Sequence, residues 1–300
     1  MLNALTIDVE DYFQVDALSS AISPDEWENW PRRVEANTDR LLKLFDAHDT
    51  RATFFILGWI AERHPELVRR IHAAGHEIAS HGYSHQRVYR QQPDVFRREA
   101  AGSKELLEEL TGAPVYGYRA ASYSITPSSR WALDILAELG YQWDSSLFPV
   151  RHDVYGMPGT PRHPYDLVTD EGRQLVEFPL STKRLAGQTI PISGGGYFRL
   201  FPYWFSRWAL NNCNREGQPF IFYLHPWEVD PEQPRVAGVG WKSRFRHYNN
   251  LRRTLPRLER LLGHFRFTTV TQVLQQQGLV SSDDEDPMPR DDHAQAMAYH

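Results

Sequence analysis

The sequence predicts an α/β protein built on a parallel sheet, and three observations lead to this class. Short apolar runs alternate with helical patterns from Leu5 to Asp144. Several of the helical patterns end at a glycine, namely Gly75, Gly112 and Gly140, as helices commonly do. Strands that alternate with helices in this way pair in parallel, and the helices then cover the sheet.

The predicted elements follow in order along the chain. The strands are Leu5–Val9, Ala52–Leu57, Glu77–Ser80, Val115–Arg119, Tyr141–Asp144, Phe220–Leu224 and Phe265–Thr269. The helices are Thr38–His48, Pro65–Ala74, Pro93–Thr111, Ser128–Leu139, Leu251–Leu262 and Thr271–Gln277. Residues 150–200 are rich in Pro and Gly and are predicted to be irregular. The glycine run in Ser193–Phe198 is interpreted as a flexible turn, because the Gly-Lys-Ser/Thr of a phosphate loop does not follow it.

Length and composition favour one large domain. We expect a single unit over residues 1–280 and a disordered acidic tail over 281–300, where the apolar period ends. The formal net charge is -5 without a basic block, which argues against nucleic acid as a partner. Oligomeric state is left open.

Targeting signals are not evident. The N-terminal residues lack a signal-peptide pattern, and no stretch is long enough for a transmembrane segment. Cys213 is the single cysteine, so the chain does not depend on an intramolecular disulfide. The cytoplasm is therefore the expected compartment, although a leader outside this chain is compatible with the same pattern.

Ionisable side chains gather at the ends of five predicted strands. They are Asp8, Glu10 and Asp11 after the first strand, His81 and His85 after the third, then Arg119, Asp144 and His225. Charged groups beside buried strands are costly unless they are paired or ligated. Because the carboxyl ends of parallel strands meet at one edge of the sheet, these residues predict a shared site.

The residue types fit one chemistry. Two histidines and one carboxylate suffice to hold a catalytic divalent metal and leave positions open. A second carboxylate can act as general base, and a neighbouring arginine would keep it ionised. A separate histidine with its own carboxylate can act as general acid, a role that suits His225 and Asp144.

Each of these residues also has a plainer interpretation. His81 and His85 could be surface residues in a turn, and Asp8 to Asp11 an exposed acidic turn. Arg119 could serve a structural ion pair, Asp144 could cap a turn, and His225 could be a satisfied buried histidine. Only their coincidence at strand ends favours a site.

Five segments, in order, resemble the motifs of NodB-homology polysaccharide deacetylases, carbohydrate esterase family four. They are TIDVED, SHGYSH, RAASYS, WDSSLFP and YLHP, within about residues 5–226. The closest likeness is to a subgroup associated with exopolysaccharide biosynthesis loci. Its C-terminal extension resembles GGGYFRLFPYWF, LHPWEVD and FRHYNNLRRTLPRLERLL here, with the last part at about 230–280.

The resemblance implies a distorted (β/α)7 TIM-like barrel with a C-terminal extension. It implies a metal-dependent N-deacetylase acting on N-acetylhexosamine units of a polysaccharide or glycan precursor. The implied roles are metal ligation by His81 and His85, usually to zinc, general base Asp8 with Arg119 beside it, general acid His225 oriented by Asp144, and an oxyanion-binding backbone N–H near Tyr123.

Two positions depart from the family pattern. The family commonly has adjacent aspartates in its first motif, whereas here Asp8 is followed by Val9, Glu10 and Asp11. Glu10 faces the same way as Asp8 on a regular strand and is the favoured third metal ligand, with Asp11 the close alternative. Ala121 stands where proline is usual, which loosens the loop that presents the oxyanion donor.

Three other functions stay open at this stage. The chain could hydrolyse a small amide or cyclic ureide on the same fold, bind glycans without catalysis, or be a metal-dependent scaffold. Aromatic residues of the later region could form sugar-stacking walls, although at least half are expected in the core: Tyr197, Phe198, Tyr203, Trp204, Trp227 and Trp241.

Overall fold

The computed structural model describes residues 1–152 and 155–281. The predicted acidic tail, 281–300, lies outside the described residues apart from Ser281. Eleven strands occur in the described ranges. They are β1 Leu2–Val9, β2 Thr53–Ile56, β3 Glu77–Ser80, β4 Gly117–Tyr118, β5 Trp143–Asp144, β6 Tyr165–Val168, β7 Gln174–Glu177, β8 Thr182–Leu185, β9 Gln188–Pro191, β10 Ile221–Leu224 and β11 Arg266–Thr268.

Ten α-helices connect or flank these strands in the same ranges. They are α1 Val34–Ala47, α2 Gly58–Arg63, α3 Pro65–Ala73, α4 Pro93–Thr111, α5 Trp131–Glu138, α6 Gly195–Leu200, α7 Tyr203–Arg215, α8 Trp241–Tyr248, α9 Leu251–Leu262 and α10 Val270–Gln276. None of the helices in this part of the chain combines the length and apolarity needed to span a bilayer.

The main sheet confirms the predicted α/β class. Its strand order is β10-β1-β2-β3-β4-β5-β7-β6, and β11 also pairs with β1. Seven neighbouring strands, from β10 to β7, run parallel, and β6 adds an antiparallel edge. This is the expected seven-stranded arrangement, but the two edge strands of the described sheet do not pair, so it forms no closed barrel.

Side chains of β1 alternate between the two faces of the sheet, as a strand dictates. Leu5, Ile7 and Val9 pack into a large cluster together with residues from the covering helices. Ala4 belongs to a second cluster that contains Phe55 of β2. Asp8 shares the parity of Ala4, so the alternation directs its carboxylate to the second face.

The prediction of an irregular segment over 150–200 was wrong in part. β6 and β7 complete the main sheet there, β8 and β9 form a separate antiparallel pair, and α6 follows. The glycine run is not a flexible turn, because it packs closely on β10. A Cβ atom on Gly194 would lie 2.0 Å from the carbonyl oxygen of Tyr223, so only glycine fits.

Candidate active site

The carboxyl end of β1 delivers two buried carboxylates to one pocket. Asp8 and Glu10 each have 2 % of their surface exposed. β1 is flanked there by β2 and β10, and the segments after β3 and β10 bring His81, His85 and His225 to the same pocket. The segment after β4 places Arg119 against Asp8. The predicted convergence of strand ends is therefore observed.

Arg119 holds the Asp8 carboxylate. Its Nη1 atom donates to Asp8 Oδ1 at 2.6 Å and to Thr6 Oγ1 at 2.8 Å. The guanidinium is fully buried and lies 3.9 Å from the centre of the Phe55 ring. Its remaining nitrogens donate to the carbonyl and hydroxyl oxygens of Ser145. An arginine fixed by this many acceptors holds the Asp8 carboxylate in one orientation.

His81, His85 and Glu10 form a compact group. One ligand-type atom from each lies within 4.8 Å of the other two, an arrangement that can hold a metal ion. His81 Nδ1 lies 2.7 Å from the carbonyl oxygen of Arg119 and donates to it, which leaves Nε2 free as a ligand. Burial lowers the pKa of His81 to about 4, which favours the neutral imidazole that a metal requires.

The negative charge of Glu10 is stabilised by the histidines around it. Burial acts to raise the pKa of Glu10, but His85, His225 and His81 outweigh it and lower the pKa to about 2. Burial acts to lower the pKa of His85, and Glu10 raises it above its ordinary value. Glu10 is thus a carboxylate at neutral pH.

The structure separates Glu10 from its alternative, Asp11. The Asp11 carboxylate accepts from the backbone N–H groups of Tyr12 at 2.9 Å, Arg33 at 2.6 Å and Val34 at 2.9 Å. It therefore caps a turn and anchors the start of α1. The alternative prediction of Asp11 as the third metal ligand is therefore wrong, since both of its carboxylate oxygens accept backbone hydrogen bonds.

His225 faces the carboxylates but is oriented by a residue other than the one expected. Its Nε2 atom lies 3.1 Å from Glu10 Oε1 and 3.9 Å from Asp8 Oδ2. Its Nδ1 atom donates to Glu228 Oε1 at 2.7 Å, and Glu228 Oε2 accepts from Arg199 Nε at 2.5 Å. Burial acts to lower the pKa of His225, but Glu10, Glu228 and Asp8 raise it to about 9.

Asp144 does not fill its expected role beside His225. Its carboxylate accepts from the Ser146 hydroxyl at 2.6 Å and the Ser146 backbone N–H at 3.0 Å. It is also hydrogen-bonded to Glu177, its register partner on β7. Burial and the charge of Asp144 raise the pKa of Glu177 well above its ordinary value, which favours the protonated form of Glu177. Asp144 thus helps to build the loop behind Arg119.

Tyr123 also differs from its expected role. Its backbone N–H donates to the carbonyl oxygen of Ala120 at 3.0 Å and is not free for an oxyanion in this conformation. Its hydroxyl instead donates to Asp8 Oδ2 at 3.2 Å. Ser122 and Tyr123 both have φ near +53°, so the loop that follows Ala121 is strained and reaches into the pocket.

The pocket around these residues has a volume of about 160 Å³. It lies between two larger depressions of about 410 and 490 Å³, and Val15 and Asp16 line all three. The 410 Å³ depression is lined by Tyr155, Tyr197 and Trp227, among others. We call these three adjoining cavities the groove, and Asp8, Glu10 and His225 line its central cavity.

Three residues that contact the predicted site residues were not predicted from the sequence: Glu177, Arg199 and Glu228. Glu228 carried a signal, because it follows His225 by three residues in the spacing of a capping box and both capping hydrogen bonds are present. Arg199 and Glu177 carried no local signal. They reach the site through α6 and β7, in the segment that was predicted to be irregular.

Fold and site define an α/β protein with a buried two-histidine, one-carboxylate group at the carboxyl ends of parallel strands. Residues 25–143 match the family model of polysaccharide deacetylases. Residues 145–275 match a domain of unknown function, DUF3473. The chain thus carries a polysaccharide deacetylase domain, as the motifs indicated. The link to exopolysaccharide loci stays a prediction.

Curated relatives align with part of the chain. A peptidoglycan deacetylase of Helicobacter pylori is 33% identical over 129 residues, which are 42% of this chain and 42% of that protein. A chitooligosaccharide deacetylase of Rhizobium leguminosarum bv. trifolii is 30% identical over 117 residues, 39% of this chain and 50% of that protein. The matches thus span half or less of these relatives.

Solved structures share the fold over nearly the whole chain. A Mycobacterium smegmatis structure described as a polysaccharide deacetylase has a TM-score of 0.60 and 22% identity, covering 95% of this chain and 93% of that one. An allantoinase has a TM-score of 0.59 and 18% identity, covering 93% and 90%. At these identities the likeness shows a common fold.

Proposed function

We propose that this protein is a metal-dependent N-deacetylase that hydrolyses the N-acetyl group of N-acetylhexosamine units in a glycan and releases acetate. It would be a hydrolase acting on carbon–nitrogen bonds other than peptide bonds. The observation that carries the proposal is the meeting of Glu10, His81 and His85 with Asp8 and His225 in one buried pocket.

The side chains present fit a divalent metal. Glu10 Oε2 is buried and has no hydrogen-bond donor among the described residues, although His85 Nε2 lies 2.9 Å away. At this separation a single divalent ion could contact both atoms. Two imidazoles and one carboxylate favour zinc, and His81, His85 and Glu10 would hold it. A metal there would polarise the acetamide carbonyl and acidify water.

Asp8 is assigned the role of general base. Its carboxylate is buried, fixed by Arg119 and within the same pocket as the ligand group. It would remove a proton from the attacking water as the new carbon–oxygen bond forms. The Tyr123 hydroxyl at 3.2 Å helps to keep Asp8 Oδ2 pointed into the pocket.

His225 is assigned the role of general acid. Its Nε2 atom points towards Glu10 and Asp8, and its Nδ1 proton is held by Glu228. As the carbon–nitrogen bond breaks, Nε2 would give its proton to the departing amine. The products are acetate and an amino sugar, and Glu228 stabilises the imidazolium that donates the proton.

The groove supports an extended glycan over a small amide. Depressions of about 410 and 490 Å³ adjoin the catalytic pocket, and the first offers Tyr155, Tyr197 and Trp227. Aromatic side chains of this kind form walls for sugar rings. A cyclic ureide would need only the pocket of about 160 Å³. The names of the curated relatives, which act on peptidoglycan or chitooligosaccharide, agree with a glycan.

We also propose that residues 1–280 act as one unit, since β1 pairs with both β10 and β11 from the far end of the chain. A cytoplasmic location remains our proposal, supported by the single cysteine.

The test is a substrate comparison with purified protein. Acetate release would be measured from N-acetylglucosamine oligomers of increasing length, and ring opening would be measured with allantoin as the small ureide. Acetate release that rises with oligomer length and is lost in His225→Ala supports the proposal. Allantoin turnover without acetate release, or glycan binding without turnover of either substrate, would overturn it.

A further inference from the structure

The first turns of α7 expose an unusual row of aromatic rings. Along α7, Trp208 follows Trp204 by four residues and Phe205 by three, so these three rings lie on one face. The ring of Phe201, just before the helix, packs against Phe205. Trp204 and Trp208 are 69% and 41% exposed. The ring centres of Phe205 lie 5.0 Å from Phe201, 6.0 Å from Trp204 and 5.6 Å from Trp208. We call these four residues the aromatic stripe.

Arginines surround one end of the aromatic stripe. Arg257 Nη1 donates to the carbonyl oxygens of Phe198 at 2.8 Å and Phe201 at 3.3 Å. The Arg260 guanidinium lies 4.4 Å from the ring centre of Tyr203. Arg207 is exposed and lies one helical turn after Tyr203 in α7. Together with Arg253 these residues form what we call the basic cluster: Arg207, Arg253, Arg257 and Arg260.

The basic cluster is not neutralised by the described part of the chain. Arg252 is within ion-pair distance of Glu232, whereas the four arginines of the basic cluster pair with no described carboxylate. Burial and the charges of Arg253 and Arg260 lower the pKa of Arg257. Glu259 is the single acidic residue of α9. Such a surface presents apolar rings and excess positive charge side by side.

We propose that this face docks on a lipid bilayer that contains anionic headgroups. Tryptophan and phenylalanine insert at the boundary between headgroups and acyl chains, and arginines beside them attract the negative surface. The aromatic stripe would enter the interface in the plane of the membrane, and the basic cluster would contact phosphate groups. The inference is independent of the proposed function, because lipid binding is measured without substrate.

Two other occupants fit the face less well. A second copy related by a two-fold axis would bring the basic cluster towards itself, and like charges repel. A neutral glycan would make no use of the positive charge of the basic cluster, which no described carboxylate neutralises. Phe205 is also covered by its three neighbouring rings, which leaves fewer open ring faces for sugars than a row of separate aromatics would.

Docking would place the active-site groove beside the lipid surface. Leu200, which is 50% exposed and precedes the aromatic stripe, also lines the depression of about 410 Å³ next to the catalytic pocket. A glycan displayed at a membrane surface would therefore meet the groove from its aromatic side.

The experiment is co-sedimentation of the full chain with vesicles. One set contains phosphatidylcholine alone and the other phosphatidylcholine with phosphatidylglycerol. We expect the protein to bind the anionic vesicles about tenfold or more strongly than the neutral ones. Binding to the anionic vesicles should also fall with added salt. The double variants Trp204→Ser/Trp208→Ser and Arg253→Gln/Arg260→Gln should each lose about tenfold or more in partitioning.

Trp241→Ser is the matched control, since Trp241 is 75% exposed but lies on α8, outside the aromatic stripe. It should bind like the wild type, and circular dichroism should show all variants folded. Equal loss in the control, or no binding to anionic vesicles, overturns the proposal. Two other results would also overturn the proposal, each in the absence of vesicle binding. One is a concentration-dependent dimer that Trp204→Ser/Trp208→Ser abolishes, and the other is binding of N-acetylglucosamine oligomers that the same variant abolishes.

Discussion

The Nδ1 atom of His225 lies 2.7 Å from Oε1 of Glu228, and this contact assigns the orienting carboxylate of the proposed general acid. Arg199 contacts the other oxygen of Glu228, and Trp227 stacks on the His225 ring with centres 5.2 Å apart. His225 therefore has its tautomer and its plane fixed by residues from α6 and the segment after β10.

Glu228→Gln should lower kcat by about 100-fold and change KM little, because it disturbs proton donation and leaves the groove intact. Steady-state acetate release checks this, with thermal unfolding as the measure of folding. Asp144→Asn is the matched control, since Asp144 was the expected partner of His225. A larger loss of kcat in Asp144→Asn than in Glu228→Gln would show that the contact with Glu228 does not orient the acid.

The neighbouring carboxylates Glu10 and Asp11 should behave in opposite ways. Glu10→Gln should lose bound zinc, because it removes one of three ligands, and leave the unfolding free energy of the metal-free protein little changed. Asp11→Asn should keep zinc but lose about 1–3 kcal/mol of stability, because its carboxylate accepts three backbone N–H bonds. Metal analysis of the purified variants and urea unfolding measure both effects. Loss of zinc in Asp11→Asn alone would reverse the assignment.

Arg119 and Asp8 form a buried ion pair, so removing one partner should be costly. Arg119→Met should lower the unfolding free energy by about 3–5 kcal/mol, because Asp8 is left buried without its counter-charge. The double variant Asp8→Asn/Arg119→Met should recover part of that loss. Urea unfolding of the four proteins gives the coupling energy. If the double variant is no more stable than Arg119→Met, the pair is not coupled as the 2.6 Å contact indicates.

Glu177 should make stability fall as pH rises. Its folded-state pKa is raised above the ordinary value of 4.5 by burial and by Asp144, so the folded protein binds a proton that the unfolded chain releases. The stabilisation is complete below pH 4.5 and declines as pH rises through the folded-state pKa. Glu177→Gln imitates the protonated side chain and should gain stability relative to the wild type with rising pH. Parallel pH profiles of stability for the two proteins would contradict the raised pKa of Glu177.

Much of the fold was predictable because local signals agreed with the final structure. β3 and α4 match their predicted bounds, and β1 ends at its predicted residue but begins three residues earlier. Apolar runs mark the strands, and a terminal glycine marks α4. The helix α7 was missed because its aromatic stripe faces outwards, while smaller residues such as Ala209 and Cys213 face the core. Because apolar residues occur on both sides of α7, the hydrophobic periodicity of this segment does not indicate a buried face.

The sequence predicted which residues meet at the site better than it predicted which of them contact each other. Asp8, His81, His85, Arg119 and His225 come together because parallel strands end at one edge. Glu177, the partner of Asp144, lies on β7, and Arg199 of α6 holds Glu228, the partner of His225. The positions of β7 and α6 are set by tertiary packing. The choice between Glu10 and Asp11 also depends on tertiary contacts. Asp11 accepts hydrogen bonds from the backbone N–H groups of Arg33 and Val34, which leaves Glu10 to face the pocket.

The most direct test is acetate release from N-acetylglucosamine oligomers by wild type and His81→Ala, each stripped with chelator and resupplied with zinc. Our account predicts that the wild type binds one zinc ion and regains activity, while His81→Ala binds zinc weakly and stays inactive. Acetate release that persists after complete metal removal, or zinc binding that His81→Ala leaves unchanged, would contradict the account.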